Sequence, residues 1–191
     1  MSWSFHIDRV ENYAFWNDAF SPLECQKIVE QAKLLELETA TVDTDNQQRT
    51  DIRKSNVVFI QPLQFKWVFE RITDISLRLN KDYFNFDLWG LMENLQFTEY
   101  NAPGGKYNEH IDKMFDGSVR KLSIVVQLTD PSEYEGGELQ LLYRGDRDPE
   151  IANKKQGHMI AFPSYTLHRV TPVTKGTRHS LVGWITGKPF R

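Results

Sequence analysis

The sequence predicts a β-sandwich or jelly roll with helices packed outside it. Three observations carry that expectation. Two amphipathic helical stretches occupy the first part of the chain, short β-like runs follow from about Trp89 onward, and turn residues close off almost every run. The 191 residues suit one domain with a sizeable core, and 40% hydrophobic with 26% charged residues is the balance of an ordinary globule.

The first helix is expected behind Ser21-Pro22-Leu23-Glu24, which offers an N-cap serine, proline at the first helical position and glutamate at the capping-box position. Cys25, Ile28, Val29, Ala32 and Leu35 then recur at helical spacing, so this helix should bury one face. A second helix is expected from about Leu63 to Leu79, with Phe65, Phe69, Ile72, Ile75 and Leu79 on one stripe. Between the two, Thr39 to Lys54 is polar and aperiodic, which reads as an exposed loop. Strands are expected at Asn94–Tyr100, Tyr107–Asp112, Lys121–Leu128, Glu138–Tyr143, His158–Phe162, Arg169–Pro172 and Arg178–Thr186. Pro103-Gly104-Gly105, Asp116-Gly117, Gly136-Gly137, Gly145, Gly157 and Gly176 supply the turns between them. The expected organisation is a single domain over residues 1–191, with helical support mainly in 1–85 and the β core in 86–191.

Composition narrows the function classes. A formal net charge of −3 gives no reason to expect nucleic acid as a partner. The single cysteine, Cys25, excludes an intramolecular disulfide framework and a cysteine-rich zinc site. No run approaches the roughly 20 apolar residues that span a bilayer, and Met1 to Val10 has no apolar signal core. The expectation is a cytoplasmic protein with no membrane partner. The oligomeric state leaves no trace in the sequence.

The chemistry is concentrated in the β half. In His110-Ile111-Asp112 the polar residues are at i and i+2, so on a strand both point into one cavity while Ile111 turns away. Two histidines and a carboxylate with open positions form the facial triad that suits iron(II) and oxygen chemistry, so a second histidine should come from a later strand. Five are available: His6, His110, His158, His168 and His179. His168 follows a turn at the start of an expected strand, which suits a ligand at a barrel mouth. Arg178 lies ten residues on, with Lys175-Gly176-Thr177 between them reading as a hairpin turn. A buried arginine there implies a carboxylate, because its rigid fork binds both oxygens and its burial without an anion is costly. Taken singly, an H-x-D pair is common by chance, His168 reads as a satisfied histidine, and Arg178 as a surface ion-pair residue. The joint order is far more specific. His179 should face away from Arg178 as a structural residue, His158 should line the core, and His6 is uninformative.

Tyr100 through Asp112, Leu122 through Leu139 and Ala161 through Trp184 resemble the iron(II)- and 2-oxoglutarate-dependent oxygenases of the prolyl 4-hydroxylase type. Asp130-Pro131-Ser132-Glu133-Tyr134-Glu135-Gly136-Gly137-Glu138-Leu139 and Leu167-His168-Arg169-Val170-Thr171-Pro172-Val173 look most like the bacterial PKHD-type hydroxylases. The resemblance implies a double-stranded β-helix, the jelly-roll variant of that family. It implies iron(II) on His110, Asp112 and His168, and 2-oxoglutarate on Arg178, with Tyr100 pointing toward the co-substrate. Gln127 stands where animal oxygen-sensing relatives have a tyrosine beside the distal carboxylate. Tyr107 matches a tyrosine near the cavity and Trp184 a tryptophan near the iron and the peptide substrate, and Trp184 shares the inward face of its strand with Arg178.

The activity implied is dioxygen-dependent hydroxylation of a prolyl residue in a protein or peptide, with succinate and carbon dioxide released and ascorbate as a reductant. Hydroxylation of a free, proline-like amino acid is the nearest alternative, and a non-catalytic cupin-like binding module is an alternative of a different class. Thr39 to Lys54 and Arg144 to Gln156 are the polar segments long enough to form a substrate rim.

Overall fold

The computed structural model describes residues 9–41, 49, 51–112, 119–144 and 148–189. The chain runs through β1 (Ala14–Trp16), α1 (Pro22–Lys33), β2 (Glu38–Thr39), β3 (Arg53–Lys54), β4 (Asn56–Ile60) and α2 (Pro62–Leu79). It continues through β5 (Leu88–Leu91), β6 (Leu95–Asn101), β7 (Gly105–His110), β8 (Val119–Gln127), β9 (Tyr134–Gly136) and β10 (Leu139–Leu141). It ends with β11 (Glu150–Ile151), β12 (Met159–Pro163) and β13 (His168–Gly187). Among the described residues no helix is long and apolar enough to cross a membrane.

The helices form where their end signals and apolar stripes lie. Ser21 Oγ accepts from the Glu24 amide at 3.3 Å, and Glu24 Oε2 accepts from the Ser21 amide at 2.8 Å, closing the expected capping box. α1 buries Cys25, Ile28 and Ala32. α2 starts at Pro62, is kinked at Phe65, and buries Phe65, Val68, Phe69, Ile72, Ile75, Ser76 and Leu79. Both stripes pack with Phe97, Leu122, Ile124, Val126, Leu181 and Ile185 into the larger core.

The larger sheet has the order β1-β12-β8-β13-β6-β4-β2, and its neighbours pair antiparallel. A smaller set, β3-β7-β13-β10-β11 with β9 beside β13, faces it. Ile124 and Val126 belong to the helix-covered core, whereas Val125 between them joins Tyr100, Leu139, Phe162, Val170 and Val173 in a second core. That alternation means one face of β8 supports the helices and the other lines the space between the sheets. The result is the mainly β jelly roll the sequence predicts, with its helices on one side.

The expected hairpin fails. Lys175-Gly176-Thr177 is not a hairpin, because β13 is a single strand of 20 residues that passes from the smaller sheet to the larger one. Its first part pairs with β7, β9 and β10, and from Thr177 it pairs with β6 and β8. Gly176 marks the corner. Its φ is +70°, and a Cβ there would lie 2.1 Å from the Glu133 carbonyl oxygen, so a turn-forming glycine serves a sheet switch.

β6 and β7 run antiparallel to β13 across the same corner. β7 also stops at His110, leaving Asp112 just beyond it. The stretch read as a loop carries β2 and β3 at its ends, and β1, β4 and β5 were not expected either. His6, Asp116-Gly117 and Gly145 lie outside the described residues.

Gly176→Ala is expected to cost about 1–3 kcal/mol, since it meets both a strained φ and a backbone oxygen. Urea unfolding monitored by circular dichroism checks this, and an unchanged midpoint would remove Gly176 as the corner.

Candidate metal and anion site

The corner-crossing ladder brings the chemistry together. His168 and His110 are direct register partners, and Asp112 follows two residues after His110. The potential ligand atoms of His110, Asp112 and His168 all lie within 4.8 Å of one another. Asp112 Oδ1 is 3.6 Å from His110 Nε2, and its Oδ2 is 3.6 Å from His168 Nε2.

Each imidazole is set by a main-chain carbonyl: His110 Nδ1 lies 2.8 Å from Asn108 O, and His168 Nδ1 lies 2.9 Å from Thr166 O. A carbonyl only accepts, so Nδ1 carries the proton and Nε2 presents its lone pair inward. Ser123 Oγ donates to Asp112 Oδ2 at 2.7 Å, and the Asp112 amide donates to Ser164 O at 3.0 Å.

The electrostatics keep this set ready to coordinate. Burial, and then the neighbouring His168, push the His110 pKa down to about 3, so the ring is neutral at neutral pH. Burial alone would raise Asp112, but His168, His110, Ser123 and Trp184 together hold its carboxyl below the usual range. Two inward nitrogens and a carboxylate are donors that could hold a divalent metal with several positions left open.

Ten residues further along β13, Arg178 forms another register pair with Tyr100 of β6, which precedes His110 by ten residues in the chain. Arg178 is 1% exposed and lines the same cavity as the three possible ligands. Its Nη2 donates to Gln127 Oε1 at 2.9 Å and its Nη1 to Ser180 Oγ at 3.3 Å, while Tyr100 lies beneath the guanidinium with its ring centroid 5.3 Å from Cζ. Its Nε is buried with no hydrogen-bond partner, and no carboxylate pairs with it among the described residues. Gln127 is not part of the cavity lining and acts on Arg178.

Trp184 and Tyr107 also line the cavity. Tyr107 stacks on His110 with centroids 3.5 Å apart. Arg120 Cζ sits 3.9 Å over the Trp184 ring, its Nε bonds Glu93 Oε1 at 2.7 Å, and its Nη1 reaches Asp112 O at 3.3 Å.

The other histidines are elsewhere. His179 Nδ1 is 3.0 Å from Thr129 Oγ1 and its Nε2 is 3.3 Å from Glu99 Oε2, while His158 stacks on Phe15. Sequence reasoning missed Arg53, Glu93, Arg120 and Ser123. Arg53 lines the cavity from β3, and the β-rich run Asn56–Ile60 just after it was the one signal of a strand there.

Residues 95–186 match the family model described as the 2OG-Fe(II) oxygenase superfamily. The matched stretch contains every candidate ligand, together with Arg178, Tyr100, Gln127 and Trp184. A PKHD-type hydroxylase of Prochlorococcus marinus is 42% identical over 86 residues, which is 44% of this chain and 38% of the relative. One from Acidovorax ebreus is 40% identical over 97 residues, 47% of this chain and 41% of the relative. The chain thus matches about two fifths of the length of these curated relatives.

In three dimensions a Pseudomonas putida prolyl-4-hydroxylase superposes with a TM-score of 0.74 at 21% identity, covering 93% of this chain and 94% of that one. A Trichoplax adhaerens prolyl hydroxylase, solved with a hypoxia inducible factor peptide fragment, gives a TM-score of 0.77 at 17% identity, covering 92% and 84%. At these identities the likeness is one of fold.

The buried imidazoles set a pH dependence. His110 and His179 have folded pKa values of about 3 and about 4, both below the ordinary 6.5. As pH falls through 6.5 the unfolded chain takes up protons that the folded rings refuse, so stability present above that pH is lost. Thermal unfolding of the metal-free protein is therefore expected to be flat above about pH 7.5 and to fall steadily toward pH 5. A midpoint that rises on acidification would contradict the neutral-imidazole assignment.

Proposed function

We propose that the protein is an iron(II)- and 2-oxoglutarate-dependent dioxygenase that hydroxylates a prolyl residue in a protein or peptide. The observation that carries the reading is a single cavity lined both by the His110–Asp112–His168 cluster and by Arg178, a buried cation with an orphan Nε and no acidic partner among the described residues. The residues fit both groups. His110, Asp112 and His168 would hold iron, and Arg178 would take the far carboxylate of 2-oxoglutarate through its fork.

Bound iron(II), 2-oxoglutarate and O2 supply the oxidant for an unactivated C–H bond, with succinate and carbon dioxide as the other products and ascorbate as a reductant. The chain's own groups orient and exclude. The Asn108 and Thr166 carbonyls fix which imidazole nitrogen faces the cavity, and Ser123 holds Asp112. Tyr100 faces the co-substrate beside Arg178. Val125, Leu139, Val170 and Val182 form the apolar part of the lining that keeps water out. Trp184, pinned by Arg120, offers a rigid ring for a proline ring to pack against.

The prolyl substrate is supported by the company the fold keeps, a prolyl-4-hydroxylase and a peptide-bound prolyl hydroxylase. The reading treats residues 1–191 as one oxygenase unit, because α1 and α2 pack on the sheet that carries the site. It also assigns the protein to the cytoplasm, as the reduced Cys25 suits.

The direct test is incubation with iron(II), 2-oxoglutarate and a proline-containing peptide library, read by mass spectrometry for the gain of one oxygen. No oxygenated product, with no succinate formed, would defeat the reading. His168→Ala is expected to stay folded yet lose iron-dependent succinate formation, and full retention would remove His168 as a ligand. Arg178→Ala is expected to raise the 2-oxoglutarate requirement roughly tenfold to a hundredfold, with Arg178→Lys milder because charge survives and the fork does not. An unchanged requirement in Arg178→Ala would point to another cation.

A further inference from the structure

The cavity contains a second arginine that the proposed chemistry leaves unused. Arg53 is 8% exposed and lines the same cavity as the metal cluster. Its Nε donates to Ser55 Oγ at 3.0 Å, and its Cζ lies 4.6 Å over the Tyr107 ring. That ring in turn stacks 3.5 Å from the His110 ring, so guanidinium, phenol and imidazole form three successive layers ending at the candidate iron site. Among the described residues no carboxylate forms an ion pair with Arg53. The nearest described acid along the chain, Asp51, faces Arg49.

A guanidinium buried to this degree is costly without an anion, and the Tyr107 face offsets only part of that cost. Arg120, the other arginine in this wall besides Arg178, is already paired with Glu93. In the proposed reading Arg178 would take the far carboxylate of 2-oxoglutarate. Arg53 is then left without a carboxylate among the described residues.

We infer that Arg53 is the subsite for a carboxylate carried by the substrate itself, close to the carbon that is hydroxylated. This rests on the oxygenase reading of the same cavity and adds a charge requirement to it. With Nε held by Ser55, the two Nη atoms would serve the ligand as a flat fork, the arrangement that binds two carboxylate oxygens at once. Three sources present such a group: an acidic side chain beside the target proline, the free carboxyl end of a peptide, and the α-carboxylate of free proline.

The test uses the protein loaded with manganese(II) in place of iron, plus 2-oxoglutarate, so that binding is read without turnover. Calorimetry compares acetyl-Gly-Pro-Gly-amide with acetyl-Glu-Pro-Gly-amide, acetyl-Gly-Pro-Glu-amide, acetyl-Gly-Pro with a free carboxyl end, and free L-proline. At least one anionic probe is expected to bind about tenfold or more tighter than the neutral peptide, and which one does so identifies the source. Arg53→Met is expected to erase that difference while changing 2-oxoglutarate affinity less than about twofold, and Arg53→Lys to keep a reduced preference. Equal affinity for neutral and anionic probes in the wild-type protein overturns the inference, as does a preference that survives in folded Arg53→Met. A large loss of 2-oxoglutarate affinity in that variant also overturns it, by giving Arg53 to the co-substrate. If Arg53→Met does not fold, an undiminished preference in Arg53→Lys is the overturning result. Failure of manganese and 2-oxoglutarate to bind at all would instead sink the oxygenase reading, which separates the two claims.

Discussion

The antiparallel ladder between β13 and the β6–β7 pair is the constraint on which the rest of the site depends. It sets His168 opposite His110 at one end and Arg178 opposite Tyr100 at the other. The separation is ten residues along β13 and ten in the chain between Tyr100 on β6 and His110 on β7. The register irregularities around Val170 therefore cancel before the larger sheet begins. Strand side chains alternate faces, so a slip of one residue would turn both His168 and Arg178 out of the cavity together. Burial guards against that slip. Leu181 and Ile185 must face the helix-covered core for the even-numbered Arg178, Ser180, Val182 and Trp184 to face the cavity.

Charge is distributed in the same economical way. Asp112 is the one carboxylate lining the cavity among the described residues, set against Arg53, Arg120 and Arg178. Glu93 neutralises Arg120 from the side, and two cations are left for ligands. His110 is held neutral rather than added to this positive field, since burial lowers its pKa and the Asn108 carbonyl fixes its tautomer. Such a cavity suits an anionic co-substrate before any metal is considered.

What could be read in the sequence was the local and the periodic. The capping box at Ser21, the α2 stripe, the H-x-D spacing and the even separation of Arg178 from Trp184 all follow from chain geometry over a few residues. The corner at Gly176 was misread because glycine after lysine signals a turn without saying whether the chain reverses or changes sheets. That distinction lies in Glu133 and β9, more than 40 residues away. Arg53 was hidden for a related reason. Its strand has two residues and exists only through pairing with β7, so a polar, aperiodic stretch looked like solvent-exposed loop. The Arg120–Glu93 and Ser123–Asp112 contacts likewise join separate elements, which no short window of sequence displays.

The central claim is that the metal cluster and Arg178 serve one ligand across one ladder. The most direct measurement is 2-oxoglutarate binding by calorimetry, with and without manganese(II), on the wild-type protein. The account predicts that metal tightens 2-oxoglutarate binding by at least about tenfold, because the ligand is then held at both ends. Equal affinity in the presence and absence of metal would contradict it, since the two halves of the ladder would then be independent sites.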